Sequence, residues 1–404
     1  MTTSRTATRL ADTDEALRVA SALADEFAAG ASRRDAEREL PRDEIRALAA
    51  SGLLAVTVPT EYGGIAAPYE VVAEIFRILA SADPSIAQIP HSHFTFLEAI
   101  RSQGSDEQKR FFNGEVLGGA LFANAQSERG SRAVNIDSTV LRRQGDGYVL
   151  TGRKFYSTGA LFADWIAVRA SLADDPDATD ASTPKAVAFV RRDTAGLTVV
   201  DDWDGMGQRT TASGTVTLDD IEVPDAAVVP YTPIFAAPTT YGAQAQLLHS
   251  AIDVGIATGA LAEAVVQAGR ARPHFEADVE RAVEDPLLVQ IAGEAAVTVR
   301  AAQALLAEAG RAVDRARANP TAETTAAASI EVATAKVAAT RAAVETANIL
   351  FELGGTRSAS GAANLSRYWR DARTHTLHDA TRWKLQHIGR WTLSGTHPPR
   401  YGVL

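Results

Sequence analysis

Apolar residues recur every three to four positions through roughly the first 110 residues, a spacing that predicts helices. Segments 14–30 (DEALRVASALADEFAAG) and 42–52 (RDEIRALAASG) both carry it, and Gly52 stands where the first residue past a helix end belongs. The turn-rich PTEYGG at 59–64 precedes a third helix over 69–81, with Val71, Val72, Ile75 and Leu79 on one side. Asp83-Pro84-Ser85 then supplies a fresh helix start, with proline at its first position.

From about 116 to 232 the period shortens to two. VLRRQGDGYVLTGRKF sets a Gly-Asp-Gly turn between two alternating runs, a hairpin signal. WIAVRAS, AVAFVRR, LTVVDDW and GTVTLDDIEV read as further strands, and 172–184 (LADDPDATDASTP) as a polar loop. After Pro233 the helical period returns. Residues 321–347 hold 11 alanines in 27 positions without Gly or Pro, and Ala is the best helix former. Helices, then strands, then helices predict an α+β chain in three parts: 1–115, a β middle domain over 116–232, and a helical 233–404.

Composition narrows the chemistry. A net charge of −10 over 404 residues lacks the field that phosphate backbones require, so nucleic acid is a poor partner. The absence of cysteine removes disulfides, thiolate metal sites and thiol catalysis. The polar opening MTTSRTATRLADTDEALRVA shows no signal-peptide core, and no run of about 18 apolar residues suits a membrane span. A cytoplasmic protein is the expectation. No Walker loop, strand-borne GxGxxG or GxSxG is present.

Four segments concentrate polar and aromatic side chains. In HSHFTF, His91 and His93 open a helix; they either cap and pack, or offer one imidazole to a cleft. FANAQSERGS gathers Asn124, Ser127, Glu128 and Ser131 at a strand end, a setting for a flat heteroaromatic ring or simply for a turn. GRKFYSTGALFADW joins aromatics to two hydroxyls, as a half-wet site or a strand pair would. RYWRDARTHTLHDATRWK places His375 and His378 three apart on a helix, without a third ligand at metal spacing.

Together these segments resemble the acyl-CoA dehydrogenase superfamily, beginning with GLLAVTVPTEYGG at 52–64 and RSQGSDEQK at 101–109. KFYSTGALFADW, VDDWDGMGQRTTASGT, ARPHF, EDPL and YWRDARTHTLHD are similar to its flavin-dependent monooxygenase branch, that of dibenzothiophene monooxygenase and the SfnB-type sulfur-acquisition oxidoreductases. The resemblance implies a helical N-domain, a β-barrel or sandwich middle domain and a C-terminal four-helix bundle, assembled as a homotetramer. It implies reduced FMN, delivered by a separate NAD(P)H:flavin reductase, reacting with O2 through a C4a-hydroperoxyflavin. The substrate would be a small organosulfur compound.

By the same resemblance His93 and His378 face the flavin edge as proton-controlling groups, while His91 and His375 are structural. Asn124 hydrogen-bonds the oxygen adduct or substrate, and Thr158 stands where the branch has a serine. Tyr156 and Trp203 wall the pocket, Ser127 and Ser157 contact the flavin ring, and Arg272 and Arg357 hold its phosphate. The alternative is an FAD-dependent acyl-CoA dehydrogenase. Its Tyr-Glu-Gly-Thr run corresponds to His378-Asp379-Ala380-Thr381, so Asp379 would be the base, shorter by one methylene, about 1.5 Å. The other family position for a base, in 235–252, holds no Glu or Asp. Ahead of Gly354-Gly355, Phe351 replaces the glutamine that contacts the FAD dinucleotide, which points to FMN.

Overall fold

The computed structural model describes residues 7–130 and 135–402. Six helices come first: α1 (Thr13–Glu37), α2 (Arg42–Ala50), α3 (Tyr69–Ala82), α4 (Pro84–Gln88), α5 (His91–Gln103) and α6 (Asp106–Leu117). Local chemistry sets their ends. Gly52 takes a left-handed φ of 88° just past α2, and a Cβ there would strike the Thr8 carbonyl. The Asp83 carboxylate caps α4 by accepting from the Ser85 and Ile86 N–H groups. Ser105 and Gln108 close a capping box on α6. Helix α1 runs seven residues beyond the expected 30, because a lone glycine does not end a helix whose next turns, Ala31 and Arg34, are buried.

The middle of the chain forms one eight-stranded curled sheet. Its strands are β1 (Phe122–Ala125), β2 (Val140–Gln144), β3 (Gly147–Lys154), β4 (Trp165–Ser171), β5 (Lys185–Arg191), β6 (Leu197–Val200), β7 (Thr215–Pro224) and β8 (Val228–Pro230). The order is β6-β7-β3-β2-β4-β5-β8, with β1 lying parallel to β4. The predicted hairpin is β2–β3, closed by Gln144 opposite Gly147.

Helices resume with α7 (Tyr241–Arg270), α8 (Pro286–Ala318), α9 (Ala322–Gly354), α10 (Ser366–His375) and α11 (Thr381–Ser394). Helix α9 packs against the other four. Helix α7 is long and apolar enough to cross a membrane, yet it is a core helix, buried almost continuously from Tyr241 to Ala260. Gly255 and Gly259 let the end of α3 lie directly on it: a Cβ at Gly259 would fall 2.4 Å from the Ser81 carbonyl oxygen. One apolar core therefore runs from α1–α5 into α7–α9, so the two helical regions are a single packing unit interrupted by the sheet.

Candidate active site

The turn that leaves β3 is strained and polar. Tyr156 adopts a left-handed φ of 56°, costly for an aromatic residue, and Gly159 follows at 80°. The surroundings hold this shape. Phe155 N–H donates to the Ser127 carbonyl (2.8 Å), and Ser157 N–H donates to the Gly214 carbonyl (3.0 Å). The Tyr156 ring points outward and meets Trp203 edge to face, with centroids 6.2 Å apart. Trp203 is anchored by its indole N–H on the Gln208 carbonyl (2.8 Å). Arg129 covers the Phe155 and Tyr156 rings. Inside the turn, the Thr158 hydroxyl shares a hydrogen bond with Ser213 (2.7 Å), which reaches Thr211 (2.8 Å). Ser157 is fully buried, and its hydroxyl has no hydrogen-bond partner among the described residues. Such an atom wants a donor or acceptor from elsewhere.

Two helices close on this turn. Gly159 lies against the Ile89 carbonyl just past α4, where a Cβ would sit at 3.0 Å. Asn124 on β1 donates to the Ser92 hydroxyl (2.8 Å), tying the sheet to α5. The buried side-chain amide oxygen of Gln88, at the end of α4, also has no hydrogen-bond partner among the described residues.

The histidines sort differently from the expectation. His93 is completely buried; its Nε2–H donates to the Leu54 carbonyl (2.8 Å), and its Nδ1 accepts from Phe122 N–H (3.2 Å). Both ring nitrogens are spent on backbone, so His93 holds the single helical turn Leu53–Ala55 and β1 together and has no atom left for proton control. Burial pushes its pKa down to about 4. His91, expected to be the structural member, faces α7 instead. Its ring stacks on His249 at 3.7 Å, and His249 lies 3.9 Å from the His378 ring on its other side. His249 also contacts His375 through Nδ1 and Nε2 (3.1 Å), and His375 Nδ1 reaches Asp253 (2.5 Å). Asp253 is ion-paired with Lys336 (2.6 Å), both essentially without solvent contact. Burial lowers the pKa of His91 to about 4 and drives His249 well below the ordinary histidine value. His378 keeps an exposed face, while burial of its inner side and the nearby His375 push its pKa down. Rings stacked face to face cannot converge their lone pairs on one ion, so the cluster is no metal centre.

His249, Asp253 and Lys336 were not among the expected site residues. A signal was there: from Tyr241 to Ala262 Asp253 is the only charged residue, one helical turn from His249, and a lone charge in an apolar run needs a partner.

The remaining positions are quickly placed. Asp379 is ion-paired to the buried Lys384 at 2.6 Å. Glu128 accepts from Lys154 (2.7 Å) and from the Ser138 and Thr139 N–H groups, bracing the loop rather than facing a ligand. The Ser127 side chain is exposed. Arg272 and Arg357 are both exposed where α7 and α9 end; Arg357 donates to the Arg270 carbonyl (2.8 Å), which brings the two segments together. Ser131 lies outside the described residues.

Comparison with known proteins decides the lineage. Family models for the acyl-CoA dehydrogenase N-terminal, middle and C-terminal domains match residues 12–119, 122–221 and 247–383. A dibenzothiophene monooxygenase of Rhodococcus qingshengii is 31% identical over 394 residues, 94% of this chain and 93% of that one. The chain belongs to the acyl-CoA dehydrogenase family. Among other members, a probable FMNH2-dependent monooxygenase of Pseudomonas putida, SfnC, is 30% identical and aligns with 95% of this chain and 96% of its own. The TdsC crystal structure from Paenibacillus sp. A11-2, a complex with FMN and indole, superposes with a TM-score of 0.90 at 32% identity, covering 96% and 99% of the two chains. In this family member the Tyr156 turn, α5 and the end of α10 are the elements that gather the polar side chains.

Proposed function

We propose that this protein is the oxygenase component of a two-component flavin-dependent monooxygenase. It takes reduced FMN from a separate NAD(P)H:flavin reductase and oxygenates a small organosulfur compound. The observation that carries the choice against dehydrogenation concerns carboxylates. A dehydrogenase needs a free carboxylate to remove a substrate proton. Asp379, at the family position for that base, is neutralised by Lys384, and Asp253, the only acid in the buried part of α7, is neutralised by Lys336.

The residues present suit FMN. The partnerless buried Ser157 hydroxyl is available to a ring heteroatom, and two exposed guanidiniums suit one terminal phosphate. When bound, FMN in its reduced form supplies the electrons for reaction with O2. The chain supplies the setting. Ser157, Thr158 and the Ser127 segment meet the ring, and Arg272 and Arg357 meet the phosphate. Tyr156 and Trp203 shield the substrate side from water. Asn124, oriented by Ser92, presents its amide to substrate or oxygen. His378 controls protons at the edge of the site, with His91 rather than His93 as its companion across His249.

We also propose a homotetramer built by the C-terminal helices, acting in the cytoplasm. Val265, Leu287, Val289, Val297 and Leu393 are each more than half exposed on α7, α8 and α11, and a helix-to-helix interface would cover them. The arginines would then sit beside an interface, and light scattering measures the state.

The deciding experiment supplies reduced FMN and oxygen-18 gas with dibenzothiophene or indole as probe. The proposal expects a product carrying the heavy oxygen. Tight FAD that is bleached by an acyl-CoA would replace it with the dehydrogenase.

A further inference from the structure

The buried histidine chain has its protons fixed by what each neighbour can donate or accept. Lys336 carries only donors and takes Asp253 Oδ2 at 2.6 Å, leaving Oδ1 to face His375 Nδ1 at 2.5 Å. A carboxylate only accepts, so His375 bears hydrogen on Nδ1. With that ring neutral, its Nε2 is a bare acceptor. The 3.1 Å contact then requires hydrogen on His249 Nδ1, which leaves His249 Nε2 bare. On the far side of the stack, His91 Nε2–H donates to the Ala245 carbonyl (2.8 Å), which leaves His91 Nδ1 bare. Neutral rings follow from the surroundings. Burial lowers the pKa of His91, His249 and His375, and Lys336 already balances Asp253, so an imidazolium here would be a buried cation without a counter-ion.

We propose that Asp253, Lys336 and His375 are positioning residues that lock His249 as a neutral acceptor through Nε2, beside His91, whose Nδ1 the Ala245 carbonyl leaves bare, on the wall that His378 completes. The inference rests on the oxygenase reading and adds three residues to it. A wall of this kind accepts a hydrogen bond or a proton from bound reactants, and at these two nitrogens it has none to give. The logic is that of a carboxylate that sets an imidazole tautomer in a catalytic triad. The lysine is the difference: it removes the charge that would favour imidazolium.

Asp253→Asn tests this, because Lys336 still claims the amide oxygen and so turns the NH2 toward His375. His375 must then accept on Nδ1 and carry hydrogen on Nε2, and His249 must accept on Nδ1. The relay from His375 to His249 inverts. Neutron diffraction from flavin-free crystals reads it directly. Wild type should show deuterium on Nδ1 of His375 and Nδ1 of His249, and the variant on Nε2 of His375. In solution, with reduced FMN and O2 alone, the variant should change the rate of hydrogen peroxide release about 100-fold, with FMN affinity unchanged. Deuterium on both nitrogens of His375 in wild type overturns the proposal. So does a variant with inverted tautomers and a wild-type peroxide rate. If Asp253→Asn does not fold, Asp253→Leu with Lys336→Met removes the pair as a unit; His375 deuterium still confined to Nδ1, or an unchanged rate, then overturns it. Failure of the oxygenase reading has its own signature: wild type would leave re-oxidation of reduced FMN at the protein-free rate, while the neutron map still decides the tautomers.

Discussion

Two regions of the proposed site are built on opposite plans. The histidine wall is buried and charge-balanced before anything binds: His249, His375, Asp253 and Lys336 hold one another and the Ala245 carbonyl holds His91, which leaves His249 Nε2 and His91 Nδ1 as fixed acceptors. The turn from Tyr156 to Gly159 is strained and open, with the Tyr156 ring about half exposed and the Ser157 hydroxyl awaiting a partner. The arginines near the ends of α7 and α9 share this open character. The contrast teaches where precision is needed. Proton positions tolerate no adjustment, so they are set by the core at a cost in buried polarity; ligand contact tolerates some, so it is left to the surface.

Mutations on the two sides should therefore fail in different ways. The largest effect belongs to Lys336→Met, which strands a buried carboxylate. It should destabilise the fold by about 3–5 kcal/mol, measured by chemical denaturation, and adding Asp253→Leu should restore most of it. A single variant as stable as wild type would mean that the pair is not sealed from water.

His93→Gln comes next. It should cost about 2–3 kcal/mol at pH 7 by disturbing two buried backbone contacts, while turnover per folded molecule stays near wild type. The sign of its pH dependence is fixed. The folded pKa of about 4 lies below the unfolded value near 6.5, so the unfolded chain binds the proton first as pH falls. The stability that His93 contributes is complete above about pH 6.5 and is lost toward pH 4, so the cost of the variant should shrink by about 3 kcal/mol across that range. A cost independent of pH would contradict the neutral, buried assignment. Asp371, whose carboxyl burial pushes up to about 7, acts in the opposite direction in both proteins and cancels in the comparison.

On the open side, Arg357→Ala should leave stability unchanged. It should weaken FMN binding by about 1.5–3 kcal/mol, read by fluorescence titration, as one charged hydrogen bond is lost. Unchanged affinity would remove it from the phosphate site.

The fold was legible in the sequence because its signals are local. Caps, periodicity and the Gly-Asp-Gly hairpin turn act within a few residues, and Asp83, Gly52 and Gly147 do what their neighbours in the chain require. The shared core of α1–α5 and α7–α9 was not legible, since nothing local says that α3 will lie on Gly255 and Gly259 across the intervening sheet. The histidines show the limit most clearly. His91 and His93 lie about 200° apart around one helix, so only one can face α7, and the choice depends on what packs against each side. His249, Asp253 and Lys336 come together only when α7, α9 and α10 do.

On the proposed function this chain directs reduced flavin to oxygen rather than drawing hydride from an acyl chain. Stopped-flow absorbance tests it most directly: anaerobic protein with reduced FMN is mixed with oxygenated buffer, without substrate. Oxidised FMN should return in a delayed phase, slower than in the protein-free control. Re-oxidation indistinguishable from free FMN would contradict it.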